Sequence, residues 1–527
     1  MNKKTIVTVV STLILAAILY YFMLPPLNIQ SVLFWVYIII VLAFYGFLHM
    51  STTFSAKQLN PQGKKISKGI YLICFLVLAV IAINVFYSPV INARLYSKRI
   101  TVQEDGDFVS DVSAVDFNSL PLLDKDSSSR LGDRVMGQMP ELVSQFNVSD
   151  LYTQINYNNR VVRVTPLEYN GFIKYFTNRK NGVMGYITVD SVDGSSELVK
   201  LENGMKYMPS AYFNEKLQRH LRFQYPTFIF GPESFEIDED GKPFWVVPVL
   251  KYKGLQLMED VKGVVILDPI SGSSIYHSVE ETPAWIDHVY PSDLIIEQAD
   301  DWGRYRGGFI NSIIGQKNVV KTTEGYNYLA KNDDIYLYTG ITSATADEAN
   351  IGFILSNLRT KETTFYPVPG AKELSAMESA KGQVQQMNYE ASFPLLINLN
   401  NKPTYLISLK DNAGLVKMYA FVDVADYQKV VVTNASEGIE KAAQNYIGED
   451  EVVIDEESMT YQTITVQSIV ESSIAGDSYY YIEDSEQQRY RIKITVDEMN
   501  IPFIKAGDTL NIGYLTKEDV TEILELQ

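Results

Sequence analysis

Residues Phe235–Leu250 read FEIDEDGKPFWVVPVL, and Pro394–Lys410 read PLLINLNNKPTYLISLK. Each stretch sets an alternating run, a polar turn and a second apolar run around a shared core: Asp240-Gly241-Lys242-Pro243 in one, Asn400-Asn401-Lys402-Pro403 in the other. An aromatic residue and then apolar residues follow both cores. Alternation of period two is what a sheet with one buried face requires, so each stretch predicts a β-hairpin.

The neighbourhoods of the two hairpins also correspond, which predicts an internal duplication. In the first copy, Gly185–Leu201 (GYITVDSVDGSSELVKL) turns at Asp193-Gly194, a polar and helical stretch follows, and Gly263–Val279 (GVVILDPISGSSIYHSV) comes after the hairpin. In the second, Gly352–Pro367 (GFILSNLRTKETTFYP) leads to a helical stretch, Ala371–Gln386, then to the hairpin and Val416–Val432. The order strand, turn, strand, helix, strand, turn, strand, strand predicts an α+β layer with a helix on an antiparallel sheet. The first module is drawn at 134–282 and the second at 332–436, with 283–331 between them. In that segment Pro291–Ile314 predicts a helix, weakened at Gly303, Gly307 and Gly308 by about 1 kcal/mol each. It gathers Trp285, His288, Trp302, Arg304, Tyr305 and Arg306, the composition of a binding hot spot; the plainer alternative is filler between duplicated domains. An acidic linker (437–458) leads to 459–527, whose short strands predict a small closed barrel, OB- or SH3-like.

The N-terminus is a different material. Thr5–Leu24, Ser31–Met50 and Gly69–Tyr87 are runs of 19 or 20 residues without a full charge, long enough for roughly 30 Å of hydrocarbon. They predict a three-helix transmembrane anchor, 1–87. The first run has the basic start of a signal peptide but no small-x-small site after it, so it is expected to be retained. Lys3 and Lys4 precede the first run, its loop to the second carries no charge, and the next loop holds Lys57, Lys64, Lys65 and Lys68. Positive loops stay cytoplasmic, which makes a multi-pass cell-membrane protein with a cytoplasmic N-terminus and residues 88–527 extracytoplasmic. Residues 88–133 then read as a helical stalk and a loose lead-in. The one cysteine, Cys74, falls in the third run, so the exported part has no disulfide, as expected of a Gram-positive cell envelope.

Residues 1–100 hold nine basic residues and no acidic one, while the rest of the chain holds 36 basic against 63 acidic. So acidic a bulk repels phosphate backbones, and nucleic acid is excluded as a partner. Chemistry is sparse. The four histidines form no His-Glu-x-x-His, there is no phosphate-cradling glycine loop, and no thiol lies outside the membrane. Asp238-Glu239-Asp240-Gly241 lacks the later ligands of a calcium loop and reads as a turn. No catalytic, cofactor or metal residue is assigned. Arg219, His220 and Arg222 make, with Lys216, a basic island fit for a carboxylate or an anionic wall polymer, or equally for an intramolecularly paired helix face.

The repeats resemble PepSY-like extracytoplasmic modules in Val265-Ile266-Leu267-Asp268-Pro269 and Ser271-Gly272. Such modules imply peptide or protease binding and restraint of partners. The phrases at 131–137 (LGDRVMG), 154–157 (QINY), 219–223 (RHLRF), 325–328 (GYNY), 338–343 (YTGITS) and 393–396 (FPLL) resemble an uncharacterised family of Gram-positive membrane-anchored proteins, loosely labelled CvpA-like or Tat-signal proteins. That family brings no catalytic residues to carry over, and the twin-arginine motif is absent. The expectation is a non-catalytic binding or scaffold protein at the bilayer, meeting an envelope protein, peptide or wall polymer. A carboxylate-dependent wall hydrolase, or an accessory subunit of a membrane complex or homo-oligomer, is the alternative.

Overall fold

A computed structural model of the 527-residue chain describes residues 3–53, 68–117, 120–345, 349–448, 460–474, 477–497, 499–517 and 520–526. Most of the basic loop after the second apolar run, and part of the acidic linker 437–458, lie outside the described residues. The chain divides into two compact units, Met1–Tyr446 and Ile447–Gln527.

Two helices, α1 (Lys3–Met23) and α2 (Val32–Thr53), are long and apolar enough to cross a membrane. A third helix, α3 (Lys68–Tyr87), bends by 46° at Ser88 into α4 (Pro89–Tyr96). The chain beyond Tyr87 is not a stalk. Ala93 and Tyr96 of α4 are buried against Met258 and Tyr305, and Arg99 pairs with Glu297 at 2.7 Å and with Asp301. Nor are the described residues of 101–133 loose. Val102–Gln103 add a parallel strand to Thr363–Thr364, and a short helix, α5 (Phe108–Asp111), comes next. Asn398 Nδ2 donates to the Val109 and Val112 carbonyls at 3.2 and 2.8 Å, Ser408 Oγ donates to Leu122 O at 3.0 Å, and Lys410 pairs with Asp124 at 2.5 Å. Ile100, Phe108, Leu120 and Leu122 are buried, and their burial holds this segment down as a strap.

Beyond the strap stand four sheets of one build. Repeat 1 begins with α6 (Lys125–Gly137) and α7 (Pro140–Val143). Its split first strand, Phe146–Val148 and Thr153–Tyr157, pairs along one long strand, Arg160–Tyr169. A helix α8 (Gly171–Asn178) leads to Val183–Asp190 and the edge strand Ser196–Met205. Repeat 2 sets α9 (Leu217–Gln224) before Ile229–Phe230 with Ser234–Ile237, then Pro243–Lys253, Leu257–Leu267 and Ser274–Ser278. Repeat 3 sets α10 (Ser292–Tyr305) before Val320–Thr322 with Asn327–Lys331, then Asp334–Ser343, Asn350–Asn357 and Thr363–Tyr366. Repeat 4 sets α11 (Glu373–Gly382) before Glu390–Ala391 with Leu395–Leu399, then Lys402–Lys410, Val416–Asp423 and Val430–Asn434. Each is an antiparallel meander whose two opening fragments share one long partner.

The turns explain the repetition. Asn158-Asn159, Asn332-Asp333 and Asn400-Asn401 close three of the opening hairpins with φ of 52° and 60°, 52° and 67°, and 52° and 58°. A two-residue hairpin with both angles positive matches the twist of its strands, and Asn and Asp are the side chains that tolerate it. Repeat 2 uses the longer turn Asp238–Lys242, with Gly241 at 76°. After the third strand, an Asp or Asn begins every last turn and its Oδ1 accepts from the amides two and three residues on. Asp190 takes Val192 and Asp193, Asp268 takes Ile270 and Ser271, Asn357 takes Arg359 and Thr360, and Asp423 takes Ala425 and Asp426.

The expected duplication thus pairs repeats 1 and 2 with repeats 3 and 4. The segment 283–331, drawn between two modules, holds α10 and both opening strands of repeat 3. Gly303, counted against that helix, sits where a Cβ would lie 2.3 Å from Val320 O, so its bareness lets α10 press onto Val320–Thr322. The helix stops at Tyr305, ahead of Gly307-Gly308.

Repeat 2 is a middle layer. Trp245, Val247 and Val249 face the core of repeat 1, while Val246 and Leu250 face α10 and repeat 3. Burial on both faces is why FWVVPVL is an unbroken apolar run. Repeat 3 is covered twice too: Leu337 and Ile354 face α10, and Phe353 meets Tyr405 of repeat 4 at 5.9 Å between ring centres.

The second unit is a closed barrel. Its strands Thr460–Ile474, Asp477–Asp484, Arg489–Lys493, Thr509–Lys517 and Val520–Leu526 pair in the order first, second, third, fifth, fourth, with the third and fifth parallel. Ile464, Ile482, Ile492, Ile512 and Ile523 fill it.

Candidate functional site

Three of the four opening hairpins converge, and a groove runs between them. One cavity of about 270 Å³ is lined by Asp238, Glu239, Trp285, Asp287, Asp333 and Arg359. A wider one of about 610 Å³ continues along repeat 1, lined by Arg160, Tyr186, Asp190, Glu197, Val199 and Asp240. Tyr157, Asn158 and Ile237 belong to both. The long strands carry these residues to the turns, so the groove's walls come from the repeat geometry. Its outer rim is the edge strand Ser196–Met205, which has a strand partner on one side only among the described residues.

The floor is built from buried carboxyls. Glu236 is fully buried; it accepts from Ser234 Oγ at 2.7 Å and from the Asp287 amide at 2.9 Å. Asp287 accepts from the Asn156 amide at 2.7 Å. Burial, and next the Glu236 carboxylate, push Asp287 well above the usual carboxylate range. Asp334 meets Arg359 through two bonds of 2.7 Å and takes a third, also 2.7 Å, from Asn357 Nδ2. Asn156 Nδ2 reaches Asp333 at 3.0 Å. Repeats 1, 2 and 3 are thereby tied through one polar knot. On the groove wall, Tyr186 donates to Gly241 O at 2.7 Å, and Arg160 pairs with Asp190 at 2.6 Å and Asp193 at 2.9 Å. Among the described residues, no group of His, Cys, Asp and Glu is arranged to hold a metal ion.

The residues singled out from the sequence fall in three places. Trp285 lies at the groove, its ring 5.1 Å from Phe244, and His288 Nε2 lies 2.7 Å from Gln154 O. Trp302 and Tyr305 are buried in α10, while Arg304 and Arg306 are exposed beyond them; Arg306 stacks on Trp302 at 5.1 Å and reaches Glu104 at 3.3 Å. Arg219, His220 and Arg222 form a seam with the apolar helices. Arg219 Nε donates to Tyr21 O at 3.2 Å with its guanidinium 4.1 Å over the Tyr21 ring, and Arg222 Nε donates to Leu24 O at 3.0 Å. Both arginines are buried, and burial lowers Arg222 to about 10, still charged at neutral pH. They cover carbonyls at the C-terminal end of α1, where the helix dipole favours a cation. His220 Nε2 faces Gly272 O at 2.8 Å. The α1–α2 loop joins the seam: Leu27 N donates to Pro226 O at 2.7 Å, Gln30 Nε2 to Tyr252 O at 2.6 Å, and Gln256 N to Gln30 O at 3.1 Å.

The sequence reading missed Glu236, Asp287, Asp334 and Arg359: Glu236 and Asp287 find partners far along the chain, and Asp334 and Arg359 meet only across two neighbouring strands' ends within repeat 3. Asn158-Asn159 and Asn332-Asp333 were the legible signal, since they repeat the Asn400-Asn401 turn without its Lys-Pro.

No protein-family model matches the chain, and no curated protein matches it. The solved Trypanosoma rangeli sialidase in complex with 2,3-difluorosialic acid (covalent intermediate) aligns with 72% of this chain and 53% of its own, at 9% identity and a TM-score of 0.17. This chain spans about half that protein's length, and a likeness at that score carries no argument.

Proposed function

We propose that the chain is a membrane-anchored, extracytoplasmic binding protein of a Gram-positive-type envelope, non-catalytic, which receives an extended basic peptide in the groove of repeat 1. The observation that carries this reading is the union of a wide acidic groove with an unpaired strand edge at Ser196–Met205. An extended chain adds to such an edge through backbone hydrogen bonds, while the groove sorts its side chains. With Asp190 already paired to Arg160, Glu197 and Asp240 are the carboxylates that favour Lys and Arg there. Glu236, the carboxyl beside Asp287, is fully buried and lines neither cavity, which disfavours a hydrolase using that pair.

The membrane arrangement is part of the proposal. The α1–α2 loop and α4 both touch the same folded unit. If α1 and α2 span, the chain leaves α2 on the far side and returns through α3, a third crossing. The basic loop between α2 and α3 then faces the cytoplasm. The repeats are taken as PepSY-like, and the barrel as OB-like, from its order and its one parallel pair.

A photo-crosslinking residue at Val199 in intact cells tests this. The expected result is a peptide or protein adduct that Glu197→Lys with Asp240→Lys abolishes. Adducts unchanged by the charge reversal would refute the groove, and wall-degrading activity of the purified full chain would refute the non-catalytic reading.

A further inference from the structure

Within the first unit and outside the apolar helices, exposed large apolar side chains cluster at two places. One is α8, where Phe172, Ile173 and Phe176 are 48%, 74% and 60% exposed. The other is the turn after α10, where Ile310, Ile313 and Ile314 are 73%, 59% and 82% exposed. Side chains this bare on a folded surface call for a non-aqueous neighbour.

Both places lie beside the ends of the apolar helices. Phe172 packs on Phe213 at 6.1 Å, Arg219 Nη1 donates to Phe213 O at 2.5 Å, and the same guanidinium holds Tyr21 O at the end of α1. Phe223, 54% exposed, meets Tyr20 at 5.8 Å and Tyr21 at 6.4 Å between ring centres. On the other side, Phe309 packs with Ala93 and Tyr96 of α4, the helix that continues α3. Val90 and Ile91 on α4 are themselves 60% and 58% exposed.

Charge points the same way. Segments 89–100, 171–180 and 304–318 together contain nine basic residues and no acidic one, in a chain whose residues after 100 hold 63 acidic against 36 basic. Bare aromatic and aliphatic side chains ringed by Lys and Arg are what a helix lying in a headgroup layer presents.

We propose that α8 and the turn at Ile310–Ile314 are two lipid-dipping feet, which insert into the leaflet nearest the folded unit on either side of the spanning helices. The occupant is the bilayer itself, because the feet continue the surface that α1 and α4 already form. This rests on the membrane reading above. With the arginine seam, the feet fix the tilt of the repeats, so the groove stands at a set height over the lipid.

Cys74 is the only cysteine, so Cys74→Ser gives a background for single spin labels. Labels at Ile173, Ile314, Leu13 in α1 and Leu374 in α11 are read by collision in vesicles of phosphatidylcholine and phosphatidylglycerol holding the full chain. Oxygen collisions are expected to exceed those of a water-soluble nickel chelate at 13, 173 and 314, with the reverse at 374. Water-like readings at 173 and 314, with a lipid-like reading at 13, would overturn the feet alone. A water-like reading at 13 would overturn the membrane reading and the feet with it.

Discussion

The seam and the knot both bury charge, and they handle it in opposite ways. At the seam, Arg222 is lowered by burial only to about 10 and stays charged among backbone carbonyls at the end of α1. At the knot, burial and then the Glu236 carboxylate raise Asp287 well above the usual carboxylate range, although the backbone amides it meets pull the other way. Burial works against the charged form at both places. The neighbours differ: carbonyls that favour a cation at the seam, a second carboxylate that disfavours an anion at the knot.

The largest effect is expected where the knot does hold a true ion pair. Arg359→Ala leaves Asp334 buried without its two-bonded partner, and a loss of about 3–5 kcal/mol is expected in denaturant unfolding of the detergent-solubilised chain. If the loss is below about 1 kcal/mol, the pair behaves as a solvent-screened surface bridge and does not brace the turns of repeat 3. At the seam, Arg222→Ala uncovers the carbonyls of Leu24 and Phe228 and should cost about 2–4 kcal/mol, with new protease cleavage in the α1–α2 loop. Arg222→Lys should recover only part, since an ammonium does not span both carbonyls as the planar fork does.

Asp287→Asn sharpens the contrast by its sign. The folded carboxyl titrates above the unfolded one, so its contribution is favourable at low pH and erodes as pH rises from about 4 toward the raised folded value. The amide has no such loss. The variant should match the parent near pH 4 and melt higher at pH 7. A variant less stable at both pH values would mean that the proton's own hydrogen bond matters more than desolvation. Asp124 supplies the opposite slope: its burial is overcome by Lys410 and the Ser127 amide, which hold its carboxyl low, so its share is lost as pH falls through that lowered value. The smallest effect is in a turn. Asn332→Ala should cost about 1 kcal/mol, because alanine lacks the short polar side chain that lets asparagine tolerate left-handed backbone, and Asn332→Gly should be close to neutral.

Half of the repetition was legible because repeats 2 and 4 share Lys-Pro after the turn. Repeats 1 and 3 carry Arg160-Val161 and Asp334-Ile335 there, and what they share with repeat 4, two turn residues at positive φ, is chemical and not literal. The last-turn Asp or Asn at 190, 268, 357 and 423 was equally readable, since its role depends only on the next few residues. The groove was not. Asp287 meets an amide 131 positions earlier, and Glu236 reaches Asp287 over 51, so only the stacking of finished sheets joins them. The basic island at 219–222 was visible as charge, but the carbonyls it covers, 198 residues upstream, were visible only as grease.

The strap from Ile100 to Asp124 sets an order of events. Leu123 N donates to Ser191 O of repeat 1, but the strap's strand partner is Thr363–Thr364 and further holds are Asn398, Ser408 and Lys410, all made long after it. A nascent chain therefore carries much of this apolar segment without its partners until the third and fourth repeats have been made. The belt fastens fully only then, joining residues that follow the apolar helices to the last of the four sheets.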